Sequence, residues 1–472
     1  MAFNSSIFIL GFIVFYFFYS LPVKNANYRV VLLLLFNLVF YYFLSGKGIV
    51  ILLLLGISDF FIAQNISKTP NELYKKIWLY LSIGINISFI LLFRHIGDWF
   101  ELKELPYWPS VIGISFFVFR SMGYVLDVHR ESIEDPEKSL IHYLTYLSFF
   151  PLIMAGPISP SRDFLPQLKA PFSGNSIAIS SAFFLIASGI VKNYIISNYI
   201  ASNFVNRVFD SPAYFSGLEI LIATIGQALV VYTDFSGYTD MMVGISMLLG
   251  FEIAANFNFP YISANITEYW RRWHMSLSKW LNEYLFFPLS FLLRKWKITG
   301  TVLAVFITFI ISGFWHGTAA HYTFWGMLHG IALSWDVISG NMRDKWRTFI
   351  PKWIYFPISI FLTFMFLSFS GIFFKSHSIE DGFLMLEKIF TRFNPALFPA
   401  WLQSYTWVFV GMCAVLLFVC RMLLVYLTFH AVKRAAHFPV CIRLEMTSGE
   451  RTKLYLESAM QAKAWLSLFK VQ

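Results

Sequence analysis

Of the 472 residues, 57% are hydrophobic and only 13% charged, against about 25% charged in a soluble globular protein. With a mean hydropathy of +0.63, this composition excludes a soluble enzyme and describes a polytopic membrane protein, long enough for roughly ten or more spans of about 20 residues each. The net charge of +10 comes without a dense Lys/Arg block, so it reports basic cytosolic loops rather than a nucleic-acid surface; an anionic cytosolic partner or donor is compatible with it.

Apolar runs fall at 5–20, 28–45, 49–64, 76–93, 111–126, 139–155, 176–193, 214–233, 238–251, 299–315, 319–337, 353–373 and 404–428. Several are short enough to be re-entrant, a geometry tolerated only inside protein or beside a wet cavity. The expectation is an all-α transmembrane bundle of about eleven spans, with re-entrant and interfacial helices. Met1–Ser20 lacks a positive start and a clear small-residue cleavage site, so it reads as a retained first span. Cys413, Cys420 and Cys441 show neither metal spacing nor a disulfide framework.

Basic residues follow alternate runs: Lys24 and Arg29, then Lys68, Lys75 and Lys76, then Arg130 and Lys138, then Arg343, Lys345, Arg347 and Lys352, and finally Lys433 and Arg434. The positive-inside rule then places the N-terminus outside and the C-terminus in the cytosol, with the acidic Gly97–Glu104 loop outside. The Arg162/Lys169 loop fits that pattern less well. The Phe excess, 54 residues, says membrane rather than function. No internal repeat is evident, which weakens a transporter reading.

The chemistry concentrates between Asp234 and Gly317. Asn265 to about Leu285 reads as one amphipathic helix, with Asn265 as N-cap and Glu268 completing a variant capping box. Ile266, Trp270, Trp273, Leu277, Trp280, Leu281 and Tyr284 form its apolar stripe, and Arg271, Arg272 and Lys279 place it at the cytosolic interface. His274 falls at the flank of that stripe, where it either faces the bundle for chemistry or packs between helices. His316 ends the apolar run 299–315, between Trp315 and Gly317; an ionisable group at that depth is a functional candidate, although a packing role is open. Histidine suits general base work because its unperturbed pKa is about 6.5 and burial keeps it neutral.

Further polar groups flank these two. His321 and His329 share a helical face with Trp325, as cavity lining or packing. Asp234 and Asp240 need partners and would orient a histidine or pair an arginine. Asn256 and Asn258, before Pro260, read as a polar loop that caps the following helix. Arg120, inside an apolar run, calls for an anionic partner. No phosphate-binding Gly loop, nucleophile-elbow serine or His-Glu-x-x-His helix is present.

Four segments together resemble the membrane-bound O-acyltransferase (MBOAT) family: Asp234-Phe-Ser-Gly-Tyr-Thr-Asp-Met241, Asn256-Phe-Asn-Phe-Pro-Tyr261, Ile266-Thr-Glu-Tyr-Trp-Arg-Arg-Trp-His-Met-Ser-Leu-Ser278 and Phe314-Trp-His-Gly317. Gly113–Phe117, Tyr124–Val128, Phe149–Ile158 and Asp163–Gln167 are similar to further landmarks, so the resemblance runs to about residue 375. It implies a ring of tilted helices around a central tunnel, with a transmembrane acyltransferase domain over 1–430. A cytosolic tail, 431–472, would follow and carry a short amphipathic helix.

The resemblance also implies that His316 is the catalytic histidine and His274 its partner. Asp234, Asp240, Trp315 and His329 would support them. Arg271, Arg272, Lys279, Trp273 and Asn256 would meet an acyl-thioester donor such as acetyl-CoA, with no tightly bound cofactor and no metal.

Within the family the chain looks most like the bacterial alginate-type polysaccharide O-acetylation branch. Tyr284-Leu-Phe-Phe-Pro-Leu-Ser290 lacks that branch's usual Gly-Gly, and Arg294-Lys-Trp-Lys297 looks more like the D-alanyl-transfer branch. The resemblance implies a bacterial cytoplasmic membrane, an extracytoplasmic acetyltransferase partner and a polysaccharide acceptor. D-alanyl transfer from a carrier-protein thioester to teichoic acid, and transport without a covalent step, are the competing readings.

Overall fold

A computed structural model describes residues 5–22, 26–96, 100, 109, 111–133, 135–170 and 176–416. Cys420, Cys441, Lys24, Lys433, Arg434, the 431–472 tail, residues 417–428 of the run 404–428 and most of the Gly97–Glu104 loop lie outside the described residues. The chain divides into two compact units, Met1–Cys413 and Ala414–Gln472; the fold below is that of the first.

Every regular element described is helical. The principal helices are α1 (Ser6–Ser20), α2 (Ala26–Ser45), α3 (Gly48–Lys68), α4 (Glu72–Ile90), α5 (Ile114–His129), α6 (Leu140–Ser148) and α7 (Ser161–Lys169). They continue with α8, from Ser176 through two π-helical stretches to Asp210, then α9 (Gly217–Leu248), α10 (Ile266–Trp270), α11 (Met275–Leu281), α12 (Phe287–Leu292), α13 (Lys297–His316), α14 (Ala320–Ile338), α15 (Lys352–Lys375) and α16 (Ile379–Thr391). Seven helices among the described residues are long and apolar enough to cross a membrane: α2, α3, α4 with its π-helical end, α8, α9, α13 with the turn before it, and α15. Two apolar helices, α1 and α17 (Thr406–Leu416), are shorter. The molecule is a multi-pass membrane protein.

Helix α9 corrects one boundary. The separate runs 214–233 and 238–251 join into 32 continuous residues, about 48 Å at 1.5 Å per residue. A capping box starts the helix: Ser216 Oγ accepts from Glu219 N, and Glu219 accepts from Ser216 N at 2.9 Å. The polar Asp234–Asp240 segment does not break it, because α8 supplies partners. Asn193 Nδ2 donates to Asp234 at 2.7 Å, and Lys192 pairs with Asp240. Gly189 and Gly237 allow that contact, since a Cβ on Gly189 would stand 2.5 Å from the Gly237 carbonyl oxygen.

The N-terminal helices close around stacked aromatics, among them Phe15 and Phe36, whose ring centroids lie 4.2 Å apart. Arg120 is wholly buried there, and its expected anionic partner is replaced by neutral ones. The guanidinium donates to the carbonyls of Tyr146 and Leu147 and lies 4.3 Å over the Tyr146 ring. In the C-terminal half, α13 and α14 pack backbone to backbone. A Cβ on Gly326 would meet the Phe309 carbonyl oxygen at 2.3 Å, and one on Gly313 the Tyr322 oxygen at 2.5 Å. This contact fixes the His316 end of α13 against α14.

Candidate active site

The segment read as one amphipathic helix is two. α10 ends at Trp270, and α11 begins only at Met275. The start matches expectation: Asn265 Oδ1 accepts from Glu268 N at 2.8 Å, while Glu268 reaches back one residue further, to Ala264 N, at 3.0 Å. The break is His274, with φ 42° in the left-handed region. A non-glycine residue there is strained and needs surroundings that hold it.

Asn256 provides that hold. Its carbonyl oxygen accepts from Met275 N at 2.9 Å, while its Oδ1 accepts from Ser276 N at 3.1 Å and Ser276 Oγ at 2.9 Å. The Ser276 N–H fixes which end of the amide is oxygen, so the His274 Nδ1 3.3 Å away is the protonated nitrogen and donates to Oδ1. The Nε2 lone pair is left open. Phe235 lies edge-on against the imidazole at 4.8 Å, and the residue is 4% exposed. Burial lowers its pKa to about 3, so the ring is neutral.

His316 sits differently. Trp315, Trp325 and Phe374 wall its ring at centroid distances of 4.6, 5.2 and 5.0 Å. It is only half-buried, and its ring nitrogens have no hydrogen-bond partner among the described residues. Arg94, His274 and His329 are its electrostatic neighbours, so the two motif histidines share one locale. Gly317 is required for this corner, because a Cβ there would stand 2.4 Å from the Tyr322 ring.

Arg94 escaped the sequence reading. It donates to the His316 carbonyl oxygen at 2.7 Å and to Ser115 Oγ at 2.8 Å, and its guanidinium lies 5.6 Å from the Trp315 ring centroid. One arginine thereby ties the Trp315–Gly317 motif to α5. Its signal was present, as an arginine closing the apolar run 76–93, but nothing in the sequence linked it to a residue 222 positions away.

The remaining candidates separate by position. His329 is buried, accepts from Trp270 Nε1 at its Nδ1 (3.3 Å) and therefore donates from Nε2 to Ser370 Oγ at 3.1 Å. His321 donates from Nδ1 to the Phe373 carbonyl at 2.9 Å. Trp315 stacks on Phe119 at 5.4 Å, and its buried Nε1 has no hydrogen-bond partner among the described residues. Trp273 lies between Tyr269 and Phe257 at 5.5 and 4.9 Å, within the aromatic core.

Arg272 is engaged by Glu268 at 2.9 Å and by the Asn258 carbonyl at 3.3 Å. Arg271 and Lys279 are exposed. Among the described residues Asp234 and Asp240 make no hydrogen bond to a histidine or an arginine; Asn193 and Lys192, both inside the run 176–193, take those places. Beside α11, a recess of about 20 Å³ is bordered by Ser276, Lys279, Trp280 and Ser159, room for about one water.

Beside this recess an ion-pair network fastens α5, α7 and the segment after α11. Arg162 of α7 makes two 2.9 Å hydrogen bonds to Glu283 and one of 3.0 Å to Asp127, which also accepts from Tyr284 at 2.7 Å. The Arg162 guanidinium holds the Glu283 carboxyl below its usual range. This bidentate pairing commits the Arg162 charge to α5 and to the segment after α11.

The pattern of MBOAT, the membrane-bound O-acyltransferase family, matches residues 114–376, from the first residue of α5 to just past α15. This chain belongs to that family. It is 30% identical to a peptidoglycan O-acetyltransferase of Helicobacter pylori, over 82% of this chain and 79% of the relative. It is 28% identical to a protein of Pseudomonas aeruginosa named alginate O-acetylase, over 83% of this chain and 75% of the relative. A teichoic acid D-alanyltransferase of Bacillus subtilis is 30% identical over 55% of this chain and 67% of the relative. The MBOAT protein described here is thus a membrane acyltransferase, and both His274 and His316 lie inside the matched region.

Proposed function

We propose that this MBOAT protein transfers an acetyl group from a cytosolic acyl thioester, acetyl-CoA, toward hydroxyls of an extracytoplasmic polysaccharide at a bacterial cytoplasmic membrane. The observation that carries the reading is the His316 ring, half-buried among three aromatic walls with both nitrogens unpartnered among the described residues. The unprotonated nitrogen takes the proton of the acceptor hydroxyl, whose oxygen bonds to the thioester carbonyl carbon. The C–S bond then breaks, and the proton passes from the imidazolium to the departing thiolate. A positioned base contributes about 10²–10⁴-fold, and the apolar walls keep competing water from the thioester.

In this reading His274, fixed by Asn256, offers its open Nε2 toward the same space and orients the reacting groups. The exposed Arg271 and Lys279 meet the donor's phosphates, whereas Arg272 is already committed to Glu268. The N-terminus lies outside and the basic segments face the cytosol. A tunnel past His316 joins the two sides, and an extracytoplasmic partner acetyltransferase receives the acyl group.

The Bacillus subtilis relative supports a second reading, D-alanyl transfer from a carrier-protein thioester, although that similarity spans a smaller share of the chain. Purified protein given labelled acetyl-CoA or a labelled D-alanyl carrier protein separates the two. The proposal expects thioester consumption from acetyl-CoA that is lost in His316→Ala. Consumption from the carrier alone moves the chain to the second reading, and consumption from neither donor by folded protein rejects the role of His316.

A further inference from the structure

Helix α8 is the most lipid-exposed of the seven candidate spans, with only 11% of its apolar window buried. Along one face, every fourth residue changes character in order: Val191, Ile195, Tyr199, Asn203, Arg207. Val191 and Ile195 are 44% and 58% exposed, as lipid-facing side chains are, and Tyr199 is 43% exposed. A sequence of aliphatic, aromatic and then polar and cationic groups is what hydrocarbon, interface and headgroup layers each favour.

The polar end of this face opens into a cavity of about 300 Å³, closed on its other side by Gln403 and Trp407. Trp407 is 70% exposed, an amphipathic ring at the rim. Asn203 uses its amide N–H on the Tyr199 carbonyl at 2.8 Å, which leaves its side-chain oxygen toward the polar end. The Arg207 guanidinium, although exposed, makes no hydrogen bond or ion pair with any described residue. Every other element of the cavity is neutral, so the site has one fixed positive charge, hydrogen-bonding groups and an aromatic rim on a lipid-facing surface.

We propose that this cavity holds the phosphate headgroup of an anionic phospholipid, with Arg207 on the phosphate and Tyr199 and Trp407 bracketing the glycerol region. A guanidinium suits a phosphate's planar pair of oxygens. The acyl chains of such a lipid run down the Ile195–Val191 side of α8. The cavity is separate from the His316 locale, and the assignment does not depend on which acyl group the protein transfers.

The test uses the full-length protein in nanodiscs and native mass spectrometry. Wild type should retain phosphatidylglycerol in preference to phosphatidylcholine. Arg207→Gln should lose that preference by about fivefold, the scale of one basic residue at an anionic lipid surface, and Arg207→Lys should keep most of it. Arg347→Gln, an exposed arginine elsewhere, should leave retention unchanged and report non-specific charge effects. Soluble glycerol phosphate should not displace the lipid; displacement would make this a free-phosphate site and overturn the proposal. Equal retention of the two lipids by wild type, unchanged retention in Arg207→Gln, or displacement by an oligouronate would each overturn it as well.

Discussion

Two buried polar centres in this protein are built on opposite plans. In the N-terminal helices, Asp59 is completely buried on α3, and every neighbour points a donor at it. Ser82 donates at 2.7 Å, Asn86 at 2.7 Å and Ser121 at 2.6 Å, with the Tyr143 hydroxyl 2.8 Å behind Ser121. His316, in the C-terminal half, keeps accessible surface and has no hydrogen-bond partner for either ring nitrogen among the described residues. A polar group that is saturated by its own protein is spent on holding four helices together. One left unsaturated inside the bundle is available to a substrate, and its cost is met by the packing around it.

That contrast predicts a separation of effects. The largest is expected at His316→Ala: loss of turnover by about 10²–10⁴-fold, with thermal unfolding of the detergent-solubilised protein nearly unchanged. Equal losses of fold and turnover would make the ring a packing group. Asp59→Leu should do the reverse, because it removes the acceptor shared by Ser82, Asn86 and Ser121, and a buried donor left without an acceptor costs about 1–3 kcal/mol. Folded yield should collapse, while the surviving fraction retains its turnover per molecule. A selective loss of turnover in Asp59→Leu would dissolve the comparison.

Smaller effects sharpen it. Asn256→Ala removes the acceptor that sets the His274 tautomer, and should cost about 10–100-fold in turnover, by analogy with the orienting partners of metal-bound histidines. Arg94→Lys keeps the charge but not the fork between the His316 carbonyl and Ser115. A drop in kcat of several-fold with little change in KM is expected, since the fork acts through the position of His316.

The smallest concerns acid. The Glu283 carboxyl is held below its unfolded value of about 4.3 by Arg162, so its contribution is complete above that value. It is lost as pH falls through the lower folded pKa. Thermal stability of wild type should therefore decline on acidification, and Glu283→Gln should start lower and decline less. Parallel pH profiles for the two proteins would remove Arg162–Glu283 as an acid-sensitive contact.

Much of this was readable before any coordinates. The apolar runs located the helices because membrane spans need long stretches without charge, and Asn265 and Glu268 marked a helix start through chemistry local to four residues. The break at His274 was not readable. Ile266, Trp270, Trp273 and Leu277 do recur at helical spacing, yet the stabilisation of a left-handed residue by Asn256 arises between segments 18 positions apart. Asp234 and Asp240 were visible as groups in need of partners. That the partners are Asn193 and Lys192 follows from the glycine contact between α8 and α9, which no local pattern encodes.

Composition, span length and short motifs are local quantities, and they are enough to establish an all-helical membrane protein and an MBOAT acyltransferase. Tertiary structure alone decided which polar groups are saturated and which are left open. Whether Asp59 is satisfied, whether Arg94 reaches His316 and whether His316 keeps its nitrogens free are all settled by contacts between distant helices. A polar atom buried away from water takes its role from whatever neighbour the packing brings to it.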